Sequence, residues 1–190
     1  TESFEVALKN MLRQAPDVIL IGEVRTRETM EHAITFAETG HLCLCTLHAN
    51  NANQALDRII NFFPEEKRGQ LLMDMSLNVK ALISQRLIPR QAGEGRIAAM
   101  EVMLQSPLIS DLIFKGDVTR IKEIMAKSNR MGMQTFDQAL FDAFEANLIS
   151  YEEAIRNADS QNDLKLQIKL NSQRAKTQDL AAGTEHLTFT

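Results

Sequence analysis

Two short apolar runs, Val18–Ile21 and Leu42–Leu47, constrain this chain more than any other feature. They lie within PDVILIGEVRTRETMEHAITFAETGHLCLCTLHAN (Pro16–Asn50) and flank one segment with helical signals. Thr26 can cap a helix start, and Thr39-Gly40 marks its stop near Glu38. Buried strand, crossover helix and buried strand make a βαβ unit whose strands are parallel. Ligands bind beyond the carboxyl ends of strands in open parallel sheets. Glu23 and His48 come directly after the two runs, so both project at that edge. They would be roughly 5–10 Å apart if the strands are neighbours, about 4.8 Å from each other. Such a carboxylate and imidazole can orient a water and sense an anion.

The composition excludes several other classes. The 190 residues are 44% hydrophobic and 24% charged, which is globular, and the net charge of −4 argues against a broadly basic nucleic-acid surface. No apolar run approaches the roughly 18 residues of a membrane span, and no signal peptide opens the chain. Cys43 and Cys45 alternate on one face of the second strand. A metal site needs more ligands and an i to i+2 bridge would be strained, so both are expected buried and reduced, as in a cytosolic protein. No nucleophile sits in an elbow-like sequence, which leaves a serine or cysteine hydrolase without support.

IGEVRTRET (Ile21–Thr29) resembles the Walker B element of the type II and type IV secretion ATPases. AETGHLCLCTLHAN (Ala37–Asn50) resembles their histidine box, at the family's order and spacing. ANQALDRIINFFPEEKR (Ala52–Arg68), ISQRLIPR (Ile83–Arg90) and GRIAAMEVMLQSPLISDLI (Gly95–Ile113) resemble the pilus-retraction branch, PilT-like and PilU-like. LISDLIFKG (Leu108–Gly116) only loosely matches a segment of the principal PilT-like motors, which points to the accessory PilU-like group. The resemblance extends to about Leu170.

The resemblance implies an α/β fold: the C-terminal half of the sheet of a RecA-like P-loop ATPase core, then a small helical subdomain. It implies ATP and Mg²⁺, and a homo-oligomer, a hexameric ring at the cytoplasmic face of the inner membrane. Such a ring acts on an inner-membrane pilus platform protein, in some cases beside a paralogous retraction ATPase, to drive pilus retraction and twitching motility. A pilus-assembly or type II secretion ATPase is the alternative, as is a non-catalytic truncated interaction module. Many assembly ATPases carry a four-cysteine zinc insertion, which C-x-C cannot supply. No G-x-x-x-x-G-K-[ST] occurs in the sequence, and Thr1 stands where an initiator methionine would. The expectation is therefore a C-terminal portion of a longer ATPase, inactive by itself.

The resemblance also assigns residues. Glu23 would be the catalytic carboxylate, acting on the metal indirectly through the Mg²⁺ shell; position alone leaves a helix cap equally open. His48 would sense the γ-phosphate. Arg25, His41 and Thr46 would be nucleotide-binding residues. Arg25, with Arg27, is otherwise a solvated pair, His41 a stabiliser of its turn, and Thr46 a buried strand threonine. The family usually has Asp where this chain has Thr26; both cap a helix, but a charge is lost. Arg86 and Arg90 suit subunit packing as well as chemistry, and Glu101 suits a paired or outward-facing role. Met131 and Met133 suit a flexible contact surface or gap-filling.

Elsewhere the pattern predicts helices over Phe4–Arg13, Gln54–Phe62 and Glu65–Gln85, then a hairpin of Leu87–Pro89 with Ile97–Leu104 that extends the parallel sheet. From Ser106-Pro107 the signals are helical. Capping boxes stand at Thr135-x-x-Gln138 and Ser150-x-x-Glu153, and a last helix is expected over Asn162–Lys169. The expected domains are residues 1–105 (ATPase core with Walker B and histidine box), 106–170 (helical subdomain) and 171–190 (disordered tail).

Overall fold

Alternating apolar residues in β1 (Val18–Ile21) set its buried face, with Ile19 and Ile21 inward. A computed structural model of the chain describes Val6, Asn10 and residues 16–176. After β1, the Thr26 hydroxyl accepts from the Thr29 amide at 3.3 Å and opens α1 (Arg27–Glu38). Gly40, at φ 92°, then turns the chain into β2 (Leu42–Cys45). The strands pair in parallel, from Val18 opposite Leu42 to Ile21 opposite Cys45, as the βαβ reading requires. Met30, Ala33 and Phe36 of α1 are buried at helical spacing.

The opposite face of this sheet carries Val18, Leu20, Leu42 and Leu44, and all four are exposed. The described residues thus cover one face of the strands, and the expectation of fully buried strands is corrected to half-buried ones. The cysteines behave likewise: Cys43 is half-buried and Cys45 exposed, both as free thiols. Partial desolvation, with Cys45 adding, still pushes the Cys43 thiol up to about 11, so it is protonated at neutral pH.

Asn51 caps α2 (Ala52–Asn61), its side-chain oxygen accepting from Gln54 N at 2.9 Å. Pro64 precedes α3 (Glu65–Asn78). The helix expected to reach Gln85 stops at Asn78, and residues from Ala81 are strand. The last carbonyls of α3 are taken by side chains. Gln105 Nε2 donates to Ser76 O and Leu77 O, both at 3.2 Å, and Lys80 Nζ to Leu77 O at 3.3 Å. β3 (Ala81–Pro89) and β4 (Arg96–Leu104) form a hairpin, but as a two-stranded sheet separate from β1–β2. Among the described residues, the expected extension of the parallel sheet is not seen. Val102 instead pairs with Gln134, through N–H···O bonds of 2.8 and 2.9 Å.

Ser106 caps α4 (Pro107–Lys115), with proline at its first turn, and Gly116 ends it in the left-handed region. A 3₁₀ turn leads to α5 (Ile121–Lys127). Thr135 and Gln138 close a reciprocal capping box on α6 (Phe136–Glu145). The Ser150 hydroxyl caps α7 (Tyr151–Asn157), and Ser160 caps α8 (Gln161–Asn171). The helix expected over Phe4–Arg13 lies, apart from Val6 and Asn10, outside the described residues.

Two interleaved units result: residues up to Leu82 with Leu104–Ile124, and Ile83–Met103 with residues from Met125 on. The chain therefore does not divide at residue 105; α4 groups with the βαβ unit, and the hairpin groups with the C-terminal helices. The second unit has a core of Ile88, Ala99, Phe136, Leu140, Phe144 and Ile149, closed by Leu164 and Ile168 of α8. Arg86 lies over the Phe136 ring at 4.0 Å and donates to Asp159 at 2.6 Å and to the Asn157 carbonyl, a structural clamp. Buried Glu101 accepts from Phe136 N at 3.4 Å. Met133 is buried and Met131 exposed.

The segment after Leu170 corrects another expectation. Ser172 is fully buried and its hydroxyl donates to Glu145. Arg174 stacks on Phe144 at 4.3 Å and donates to Phe144 O at 2.6 Å and Ile149 O at 3.0 Å. The ordered fold therefore reaches at least Lys176, while the rest of the expected tail lies outside the described residues. The Ser172 hydrogen bond, first among the causes, lowers the Glu145 pKa. A lowered folded pKa means this contribution is present above the ordinary glutamate range and is lost as pH falls through the lowered value. Arg174→Ala should cost roughly 1–3 kcal/mol, because buried carbonyls lose a charged donor. At about 2–4 °C per kcal/mol for a chain of this size, thermal denaturation resolves the loss. An unchanged melting temperature would mean the segment does not dock in solution.

Candidate active site

The site is built on the segments that leave the two parallel strands. At the carboxyl end of β1, Val24 N donates to Thr46 O at 2.9 Å, and the Thr46 hydroxyl donates to Gly22 O. These bonds carry the strand pairing past the ladder and fix both exit segments. Val24 is buried. Glu23 and Arg25 flank it, two residues apart in extended chain, and so share its outer side.

There the Glu23 carboxylate is gripped at both oxygens. Oε2 accepts from Arg25 Nε at 2.6 Å and meets Nη2 at 2.5 Å. Oε1 lies 2.9 Å from His48 Nε2. The sequence expectation that Glu23 and His48 share one edge is met by direct contact. The hydrogen bond from Arg25, above all, holds the Glu23 carboxyl below its usual range against the opposing effect of desolvation; the charges of Arg25, His48 and Arg58 add smaller contributions to the lowering. Glu23 is thus an ionised carboxylate at neutral pH.

The remaining candidates separate. Thr46 is at the edge, but its hydroxyl is spent on Gly22 O. His41 stands at the other end of β2. Its Nδ1 lies 3.0 Å from Thr39 Oγ1 and 3.2 Å from Phe36 O, and its ring meets Phe36 edge-on. The structure places His41 in the turn after α1 and does not bring it to Glu23. Arg27 pairs with Glu31 on α1 at 3.3 Å.

Beside His48 opens a groove of about 470 Å³, lined by Ala49, Gln54, Asp57, Arg58, Asn61 and Phe62 as well. Sequence reasoning assigned no role to Arg58 or its neighbours. Their signal was present: Gln54, Asp57, Arg58 and Asn61 stand at i, i+3, i+4 and i+7, one polar stripe of α2 directly after the histidine. Among the described residues no group of three His, Cys, Asp or Glu side chains could hold a metal ion. Glu23, Arg25 and His48 at the strand edge, with Arg58 and Asp57 in the adjoining groove, suit a water and an anion.

A parallel βαβ unit with an acid and an imidazole meeting past its strands defines an α/β protein with a candidate site at a sheet edge. Within that class the chain belongs to the family described as type II/IV secretion system protein, which it matches over residues 1–165. It is 62% identical to the type IV pilus ATPase PilU of Pseudomonas aeruginosa over 173 residues, 91% of this chain and 45% of that protein. It is 39% identical to the type IV pilus retraction ATPase PilT of the same organism, across 83% of this chain and 46% of PilT. The crystal structure of the pilus retraction motor PilT with bound ADP superposes with a TM-score of 0.79 at 36% identity, covering 87% of this chain and 46% of that one. The PilU-like resemblance and the α/β fold expected from sequence are both borne out. The chain spans less than half the length of these relatives.

Thr46→Val tests the strand-end reading. Losing a hydroxyl that satisfies Gly22 O should cost about 0.5–1.5 kcal/mol in denaturant unfolding. No loss of stability would return the hydroxyl to the pool of groups free for a ligand.

Proposed function

We infer that Glu23 and His48 form the water-activating and phosphate-sensing part of an ATP-hydrolysing site in a motor that drives type IV pilus retraction. The observation that carries this reading is the 2.9 Å contact between His48 Nε2 and Glu23 Oε1 beyond the carboxyl ends of two parallel strands. An ionised carboxylate there can accept a hydrogen bond from the attacking water and align it on a phosphoryl group. An imidazole on the same carboxylate can report phosphate charge, since its attraction to Glu23 and to a γ-phosphate compete for the same proton-bearing nitrogen. Similarity to PilU and PilT favours retraction over assembly.

The donor set fits a nucleotide's phosphate end, with Arg25 and Arg58 supplying positive charge and the His48 imidazole a further hydrogen-bonding group beside Glu23. Mg²⁺ would be held chiefly by phosphate oxygens and water, with Glu23 reaching it through the water shell; nucleotide-site Mg²⁺ commonly uses one or two carboxylates. The wider reading is a homohexameric ring, peripheral at the cytoplasmic face of the inner membrane. It would act on a pilus platform protein and work beside a paralogous retraction ATPase. No helix among the described residues is long and apolar enough to cross a membrane, so the contact would be made at the surface.

The test uses the protein expressed from its complete reading frame. Glu23→Gln keeps side-chain size and should leave ATP affinity within a few-fold while lowering turnover by about 10²–10⁴, the range for a lost general base. His48→Ala should lower turnover less and flatten the dependence of rate on ATP concentration. Parent-rate hydrolysis by Glu23→Gln would remove the catalytic assignment, and unchanged cooperativity in His48→Ala would remove the sensor.

A further inference from the structure

Both oxygens of Glu23 are occupied. The Arg25 fork takes Oε2 through Nε and Nη2, and His48 takes Oε1. A carboxylate engaged in this way has its best lone pairs turned to cations rather than to water. Release of one partner would free a lone pair of Glu23 to orient a water, as proposed above.

Arg25 is the partner built to leave. Its backbone is fixed, because neighbouring Val24 is buried and bonded to Thr46 O, so only its side chain needs to swing. That side chain is 74% exposed, and ion pairs in such positions are weak and easily exchanged. A guanidinium fork matches a phosphate as well as a carboxylate, and a phosphate chain carries more negative charge than one glutamate. The competition therefore favours the phosphate whenever it is in reach. A glutamate of ordinary pKa is ionised at neutral pH, so Glu23 remains a carboxylate after Arg25 departs.

We propose that Arg25 is an exchangeable counter-ion of Glu23: it occupies the carboxylate when the site is empty, and moves to the phosphate end of an arriving nucleotide, freeing the oxygen that orients water. Arg25 is then a positioning residue for Glu23 and a direct ligand of the anion in turn. This rests on the nucleotide-hydrolysis reading of the site and specifies how its resting state is held.

The experiment is a double-mutant cycle on binding, with the protein from its complete reading frame and a non-hydrolysable Mg-ATP analogue titrated calorimetrically. Arg25→Gln should weaken binding by roughly ten-fold, the effect of losing one charge-assisted hydrogen-bond donor. Glu23→Gln releases Arg25 and should tighten binding by about two- to five-fold, the worth of an exposed ion pair. That gain should shrink at least two-fold in Glu23→Gln/Arg25→Gln, and Arg25→Lys should recover part of the lost affinity, because its charge remains. Parent-like binding by Arg25→Gln, or an equal Glu23→Gln gain with and without Arg25, would overturn the exchange. Parent-rate hydrolysis by Glu23→Gln would instead sink the catalytic role of Glu23 and leave the binding cycle readable. Failure of the parent to bind the analogue would overturn both.

Discussion

Parallel pairing of β1 with β2 is the constraint on which the candidate site depends. Its register sets Ile21 against Cys45, and two further bonds, Val24 N to Thr46 O and the Thr46 hydroxyl to Gly22 O, continue the pairing beyond the last strand residues. Those bonds decide where the two exit segments run, and so bring Glu23 and His48 together although 24 residues separate Gly22 from Thr46. A slip of one residue would turn Ile19 and Ile21 outward and break the contact between Glu23 and His48. Burial of the β1 isoleucines thereby protects the chemistry at its end.

The polar groups of the chain divide by what surrounds them. Arg86 and Arg174 are held over aromatic rings and donate to carbonyls, so their charges are committed to holding helices together. Arg25 differs in pairing at an exposed edge, through a single salt bridge to Glu23. The same residue type is thus a buried clamp in one place and an exposed ion-pair partner in another.

Much of this was legible because the signals are local. The bounds of β1, the Thr26 cap of α1, the Ser106-Pro107 start and the Thr135–Gln138 box each depend on residues within one turn of one another. The end of α3 was not legible. The apolar stripe continues through Leu82 and Ile83, and no glycine or proline interrupts it. Its carbonyls are satisfied by Gln105, which is distant in sequence, and no local pattern reveals that partner. The docking of residues 172–176 was missed for a related reason: it uses one buried hydroxyl and one stacked guanidinium instead of an apolar stripe. At the site, the family motif located Glu23 and His48 together. Motif proximity also placed His41 there, although a strand's length separates it from them.

The bare outer face of the β1–β2 sheet has a thermodynamic consequence. Val18, Leu20, Leu42 and Leu44 are 48–71% exposed, so their hydration shells already exist in the folded state. Melting adds only about half, or less, of the apolar hydration that a fully buried side chain would gain at these positions. The heat-capacity increment of unfolding for these residues by themselves then falls below the usual value of about 12–15 cal/mol/K per residue. These four side chains therefore add less to the curvature of stability against temperature than the buried Ile19 and Ile21 do.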